Sequence, residues 1–183
     1  STSSPENKSS VPLDLQGSEL SDLFMVKMMY ALNENGRVGV ILPDGFLFGT
    51  DNAKVNIKKK LLNEFNLHTI VRLPAGVFAP YTSITTNILF FDKTVPTEDV
   101  WFYEHKVGNG GKTYSKTKQL RSEHFNPERE WWSNRTDTDS AFKVSKEAIE
   151  KNGYNLDFKR SSVVEEVRRD VNEIMSSMTV SLM

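Results

Sequence analysis

RVGVILPDG at residues 37–45 and LHTIVRLP at residues 67–74 are the segments that decide the fold. In the first, Val38, Val40, Ile41 and Leu42 run nearly unbroken until Pro43-Asp44-Gly45 interrupts them, and the second ends in the same way at Leu73-Pro74. A short β-branched run bounded by proline and glycine reads as a strand, and its continuity predicts burial on both faces, as parallel sheets require. Between the two, Val55, Ile57, Leu61, Leu62 and Phe65 recur at helical spacing, with Lys58, Lys59 and Lys60 expected on the outer side. Thr50 or Asp51 can cap this helix, because a short side-chain oxygen accepts from its unpaired N–H groups. Strand, crossover helix and strand form a βαβ unit, expected to be parallel and right-handed. A third strand, TTNILFF at residues 85–91, follows a loop with no second helix and is expected to return antiparallel. The fold class is α/β.

Upstream, Leu20, Leu23, Phe24, Met28, Ala31 and Leu32 mark an amphipathic helix, with Ser18 a candidate N-cap and Asn35-Gly36 a left-handed stop. This helix enters the Val38 strand directly, preceded only by a polar tail, as an α/β domain entered midway would be. Downstream, VWFYE at residues 100–104 reads as a further strand at a sheet edge. A flexible turn at Gly108-Asn109-Gly110-Gly111 leads into a long polar stretch containing Trp131-Trp132. Ser145 can cap a short helix through Glu150, stopped by Asn152-Gly153. The last helix opens on the S-x-x-E capping box of Ser162 and Glu165. Behind the box, Val164, Val167, Val171, Ile174 and Met178 form a narrow seam for helix-on-helix packing, against a partner or back on the same domain. The expected organisation is a disordered or extraneous tail over 1–17, the α/β sheet over 18–106, a polar extension with a short helix over 107–160, and an amphipathic helix over 161–183.

Composition narrows the function classes. A chain of 183 residues has room for one real core. Its formal net charge of -1 provides no global attraction to nucleic acid, so any such contact must be local. The absence of cysteine excludes disulfides, thiolate zinc sites and a cysteine nucleophile, and fits an intracellular protein. No apolar run approaches the roughly 18 residues of a membrane span, and the N-terminus lacks the apolar core of a signal peptide. A cytoplasmic protein is expected.

Several chemical signals compete with plainer readings. GGKT at residues 110–113 invites a phosphate-cradling loop, but that pattern needs a further glycine where Lys106 stands, and an apolar helix where YSKTKQ follows. It reads as a turn. His68, His105 and His124 share no ligand-like spacing and read as surface or strand-end residues, so no metal site is expected. Asp44 sits at the carboxyl end of a strand, where α/β folds place ligands, and is equally suited to accept backbone N–H bonds in a turn. The lysines at 58–60 read as a solvated helix face, with Lys58 and Lys59 the alternative candidates for DNA-backbone contact.

LNENGRVGVILPDGFLFG (residues 32–49) and IKKKLLNEFNLHTIVRLPAGVFAPYTSITTNILFFDK (residues 57–93) together resemble the modification subunit of type I restriction-modification systems. These subunits are adenine-specific DNA methyltransferases. YSKTKQ, the Trp131-Trp132 pair, AFKVSKEAI and GYNLDFKR are similar to the family's post-sheet segment, so the resemblance covers about Glu19 to Arg160. It implies the C-terminal part of a Rossmann-like S-adenosylmethionine-dependent methyltransferase sheet, followed by a helical segment. The family's catalytic tetrapeptide, Asn/Asp-Pro-Pro-Phe/Tyr, is absent, as is a strand leading into a glycine-rich cofactor loop. Catalysis and S-adenosylmethionine binding are therefore expected of a full-length enzyme and not of this chain alone.

The resemblance also implies roles for particular residues. Base-modifying enzymes stack an extruded nucleotide on aromatic or apolar side chains. The segment Gly76 to Tyr81 matches the region supplying that face, with Phe78 the first candidate and Tyr81 the second. The competing reading makes Phe78 a core plug beneath the loop. Thr82 and Ser83, with Thr85 and Thr86, can contact phosphate or solvate a strand entrance, and Asn87 is expected to satisfy neighbouring backbone. The implied partners are DNA, the specificity subunit and the restriction subunit. The alternative function is a catalytically inactive assembly module that binds the specificity subunit or DNA.

Overall fold

The computed structural model describes residues 11–160. Its sheet has five strands, β1 (Arg37–Pro43), β2 (Asn66–Arg72), β3 (Thr86–Asp92), β4 (Asp99–Glu104) and β5 (Ala141–Ser145), in the order β1-β3-β2-β4-β5. The helices are α1 (Leu20–Ala31), α2 (Asp44–Phe48), α3 (Asn52–Glu64), α4 (Asn126–Ser133) and α5 (Lys146–Lys151). β1 and β2 run in the same direction across α3, but they are not neighbours. β3 lies between them, antiparallel to both, with Leu89 opposite Val40 on one side and Ile70 on the other. The expected antiparallel return is thus the element that fills the βαβ gap.

Three expectations about this architecture are corrected. β4 is interior, pairing parallel with β2 and antiparallel with β5, so the edge belongs to β5. The apolar positions of β5, Ala141, Phe142 and Val144, are too few to stand out in a polar stretch. β1 is not buried on both faces: Val40 and Leu42 point into the core, whereas Ile41 is 50% exposed. Residues 11–17 are not a loose tail, since a short 3-10 turn at Leu13–Leu15 brings Val11 and Leu15 into the main core. The remainder of the expected tail, and the seam from Val164 to Met178, lie outside the described residues.

One face of the sheet packs on α1 and α3 through Met25, Val26, Ile57, Leu61, Leu62, Phe91 and Phe102. Each such large side chain stabilises the fold by about 1.5–3 kcal/mol relative to exposure. The other face carries Val71, Leu73, Tyr103, Trp131 and Ala141, with Ile88, Phe90 and Trp132 packed against them. Asp51 caps α3 by accepting from the Lys54 N–H at 3.0 Å, and Ser145 caps α5 by accepting from Ala148. Ser18 does not cap α1; Glu19 occupies that position and makes no side-chain cap.

The inner face of α3 also contains two lysines. Lys54 pairs with the buried Asp22 of α1 at 2.9 Å. Lys58, expected on the solvent side, is fully buried, and its Nζ donates to the carbonyls of Leu47 and Gly49 at 3.0 and 2.8 Å. Those carbonyls lie at the end of α2, where the helix leaves acceptors free for donors outside it, and together they receive the ammonium, which is why a cation can sit beneath the helix. Lys58 is therefore unavailable to DNA. Lys59 is exposed, with its Nζ 5.1 Å from the centre of the Tyr154 ring.

Candidate nucleic-acid interface

The carboxyl ends of β1 and β2 meet the start of β3 in a cluster of polar side chains. Asp44, the first residue of α2, accepts from Thr85 Oγ1 on Oδ2 and from Asn87 Nδ2 on Oδ1, both at 2.5 Å. Its own N–H donates to the Thr85 carbonyl at 3.2 Å. Arg72 ends β2 with Nη2 3.8 Å from Asp44 and Nη1 donating to Asp157 at 2.6 Å. Asp44 is thus at the strand end where ligands are expected, and each of its oxygens accepts one side-chain hydrogen bond. Asn87 serves Asp44 and not neighbouring backbone. Arg72 and Asp157 were missed from the sequence; the one available signal was a charged residue closing the apolar run of β2.

The loop from Leu73 to Thr85 rises from this cluster. Its tip is built of close turns, in which the N–H groups of Tyr81 and Thr82 both donate to the Phe78 carbonyl. Phe78 is 37% exposed and Tyr81 93% exposed, so neither is enclosed as a core plug. Ser83 is exposed, while Thr82 is half-buried and accepts from the Ile84 N–H. The structure brings Phe78, Tyr81, Thr82 and Ser83 together on one loop, next to Asp44 through Thr85. Lys58 and Lys59 lie apart from it on α3.

The opposite wall of this region is the segment around Tyr114. The Tyr114 N–H donates to the Ala75 carbonyl at 3.0 Å. Gly76 has φ +81°, and a side chain there would place its Cβ 2.0 Å from the Tyr114 carbonyl oxygen, so only glycine permits the approach. Between the loop and this segment lies an open cleft of about 670 Å³, bordered by Tyr81, Thr82 and Ser83 on one side and Thr113, Ser115 and Lys116 on the other. Thr113 is followed by a turn closed between Ser115 and Lys118, which removes the helix a phosphate-cradling loop requires.

Tyr114 is itself held from below. Its hydroxyl lies 2.8 Å from His105 Nε2, and His105 Nδ1 lies 2.5 Å from Glu128 Oε1 of α4. All three residues are buried, so of the two readings of His105 the structure bears out the strand-end one, directly after β4, and not the surface one. Burial, and secondarily the Glu128 charge, pushes the Tyr114 phenol above its ordinary pKa and keeps it neutral. Burial, reinforced by the Arg135 guanidinium, holds the His68 imidazole below its ordinary range. Among the described residues no group of three or more His, Asp or Glu side chains could hold a metal ion. No described helix is long and apolar enough to cross a membrane.

Comparison with known proteins agrees with this geometry. Residues 7–170 match the N-6 DNA methylase family, and the chain belongs to that family. It is 46% identical over 172 residues to the type I restriction enzyme EcoEI methylase subunit of Escherichia coli, covering 90% of this chain and 35% of that subunit. Among solved structures it resembles a modification subunit of a putative type I restriction enzyme from Vibrio vulnificus YJ016, with TM-score 0.78 and 42% identity over 86% of this chain and 35% of that one. A chain from a structure addressing complex assembly and conformational transition of the type I R-M system matches with TM-score 0.80 and 28% identity, over 97% of this chain and 41% of that one. The chain thus corresponds to a portion, about a third, of the type I methylase subunits it matches.

Proposed function

We propose that this chain is the part of an adenine-specific DNA methyltransferase subunit that presents the loop after β2 to an extruded base. The observation that carries the reading is the exposure of Phe78 and Tyr81 at a strand's carboxyl end, on a loop braced by Gly76 and Tyr114. A flat ring that is more than a third exposed on a fixed loop can stack on a nucleobase with little ordering cost. Thr82 and Ser83 border the adjoining cleft, within reach of a flanking phosphate.

S-adenosylmethionine would supply the methyl group in such an enzyme. The described residues do not fit it, since no glycine-rich strand-to-helix loop is present among them. The exocyclic amine of adenine is a poor nucleophile and needs acceptors that hold and reorient it. The Asn/Asp-Pro-Pro-Phe/Tyr element suited to that task is absent from the sequence. Methyl transfer therefore requires segments other than these, and the chain alone neither binds the cofactor nor transfers the group. The specificity and restriction subunits of a type I system are the protein partners this reading implies.

The test replaces Phe78 in an intact methylase subunit that contains this segment. Phe78→Ala should lower the methylation rate about tenfold, stacking being worth roughly 1–3 kcal/mol per base, with a smaller effect on overall DNA affinity. A folded variant that methylates at the wild-type rate removes the stacking role. Calorimetric S-adenosylmethionine binding by the isolated chain in the micromolar range would overturn the division of labour.

A further inference from the structure

We infer that residues 106–121 form a phosphate-binding wall that tracks the backbone of duplex DNA beside the loop carrying Phe78 and Tyr81. The inference rests on the proposed function and extends it to a segment with no part in base stacking.

Charge is the first observation. KVGNGGKTYSKTKQLR contains Lys106, Lys112, Lys116, Lys118 and Arg121 and no acidic residue, in a chain whose formal net charge is -1. Among the described residues none of these four lysines has a carboxylate within ion-pair distance, and Arg121 has only an exposed contact with Glu123 at 3.8 Å. Elsewhere among the described residues, Lys54, Lys60, Lys93, Lys143 and Lys159 have carboxylate partners, while Lys27, Lys58, Lys59, Lys146 and Lys151, which do not, are spread over three helices and form no run of like charge without acidic neighbours. A local run of uncompensated cations in a nearly neutral protein is the electrostatic footprint of a polyanion.

Placement is the second. A solvated basic loop would have no fixed relation to the rest of the molecule, but this one is tied to the β2 loop. Tyr114 donates to Ala75 and packs against Gly76, and the Glu128–His105 pair holds the Tyr114 ring from beneath. Lys118 folds the segment on itself by donating to the Gly108 carbonyl at 2.9 Å. Lys106, Lys112 and Lys116 are left exposed, with Lys116 across the cleft from Thr82 and Ser83. A cleft with a lysine on one wall and two hydroxyl residues on the other suits a phosphodiester, which takes charge from one side and hydrogen bonds from the other. Cations spread along a segment match a chain of phosphates and not a single nucleotide, whose glycine-rich cradle is absent.

The experiment is a fluorescence-anisotropy titration of a labelled duplex with the 183-residue chain over a range of NaCl concentrations. Each lost phosphate contact lowers the slope of log affinity against log salt by about 0.9. The pair Lys112→Ala and Lys116→Ala should therefore weaken binding alike for unrelated duplex sequences, and the affinity lost on a fourfold rise in salt should be about tenfold smaller than in wild type. Lys151→Ala, an exposed lysine on α5, controls for net charge and should leave the slope unchanged. The wall is overturned if the double variant keeps the wild-type slope, if Lys151→Ala changes it as much, or if the wild-type chain binds no duplex at low salt. Failure of the methylase reading shows separately, as an intact subunit that does not methylate DNA whatever its salt slope.

Discussion

Arg72 and Asp157 are 85 residues apart in sequence, yet Nη1 of the first donates to Oδ1 of the second at 2.6 Å. The pair fastens the carboxyl end of β2 to the segment after α5, close to where Leu156 donates to the Leu47 carbonyl. Arg72 is only 14% exposed, so its guanidinium depends on this partner more than a surface arginine would. Asp157→Ala should cost about 1–3 kcal/mol in urea unfolding, because Asp44 remains 3.8 Å away as a weaker counter-charge. Asp157→Asn keeps an acceptor and should lose less. Equal unfolding midpoints for wild type and Asp157→Ala would show the bond to be inconsequential.

Lys58 gives the fold a dependence on alkaline pH. Burial pushes its pKa down to about 8, from 10.5 in an unfolded chain. Between those values the unfolded chain binds more protons, so folding stability rises as pH increases through that window. Below pH 8 both states are protonated and the cost of burying the charge is constant. The gain across the window is bounded at about 3 kcal/mol. Urea midpoints at pH 7.5 and 10 should diverge more in wild type than in Lys58→Met; parallel behaviour would mean that the carbonyls of Leu47 and Gly49 keep the amine at its ordinary value.

His105 joins two buried polar groups, so removing it leaves both unsatisfied. His105→Leu should cost about 3 kcal/mol or more, since it strands the Glu128 carboxylate and the Tyr114 hydroxyl together. Adding Tyr114→Phe to that variant should recover part of the loss, as one orphan disappears. A double variant less stable by the full sum of the single effects would show that the three residues are not one network.

Gly76→Ala tests the brace between the two walls of the cleft. The added Cβ would meet the Tyr114 carbonyl oxygen at 2.0 Å, in a backbone region that favours glycine. The loop must then leave the Tyr114 segment, with a loss of about 1–3 kcal/mol and faster amide exchange at Tyr114, whose N–H donates to Ala75. Unchanged exchange at Tyr114 would show that the two walls move independently.

The elements legible in the sequence were those whose signal is local. The apolar runs of β1, β2 and β3, the alternating face of α3, and the Asp51 and Ser145 caps each depend on residues within a few positions. The Phe78 loop was reached through resemblance, and its exposure is geometry that no periodicity encodes. Lys58 was misplaced because its burial depends on two carbonyls at the end of α2, invisible to a helical-wheel argument. The Glu128–His105–Tyr114 network draws single residues from three segments, none of which forms a motif. β5 escaped notice because five residues among polar neighbours carry little pattern. In each of these cases the deciding partner is distant in the chain.

The position of β3 between β1 and β2 has a consequence for the order in which the sheet can form. β1 has no neighbour among the strands that immediately follow it, since Val40 pairs with Leu89 and not with β2. As the chain is synthesised, β1 and β2 are joined to each other only through α3 until Thr86–Asp92 arrives to pair with both. The loop closed by that arrival is long, and its entropy is lost before any cross-strand contact repays it. The three strands should therefore lock in one cooperative step. The Leu73–Thr85 loop is the tether that lets β3 turn back into the gap, so the segment that borders the cleft also makes the connection on which closure of the sheet depends.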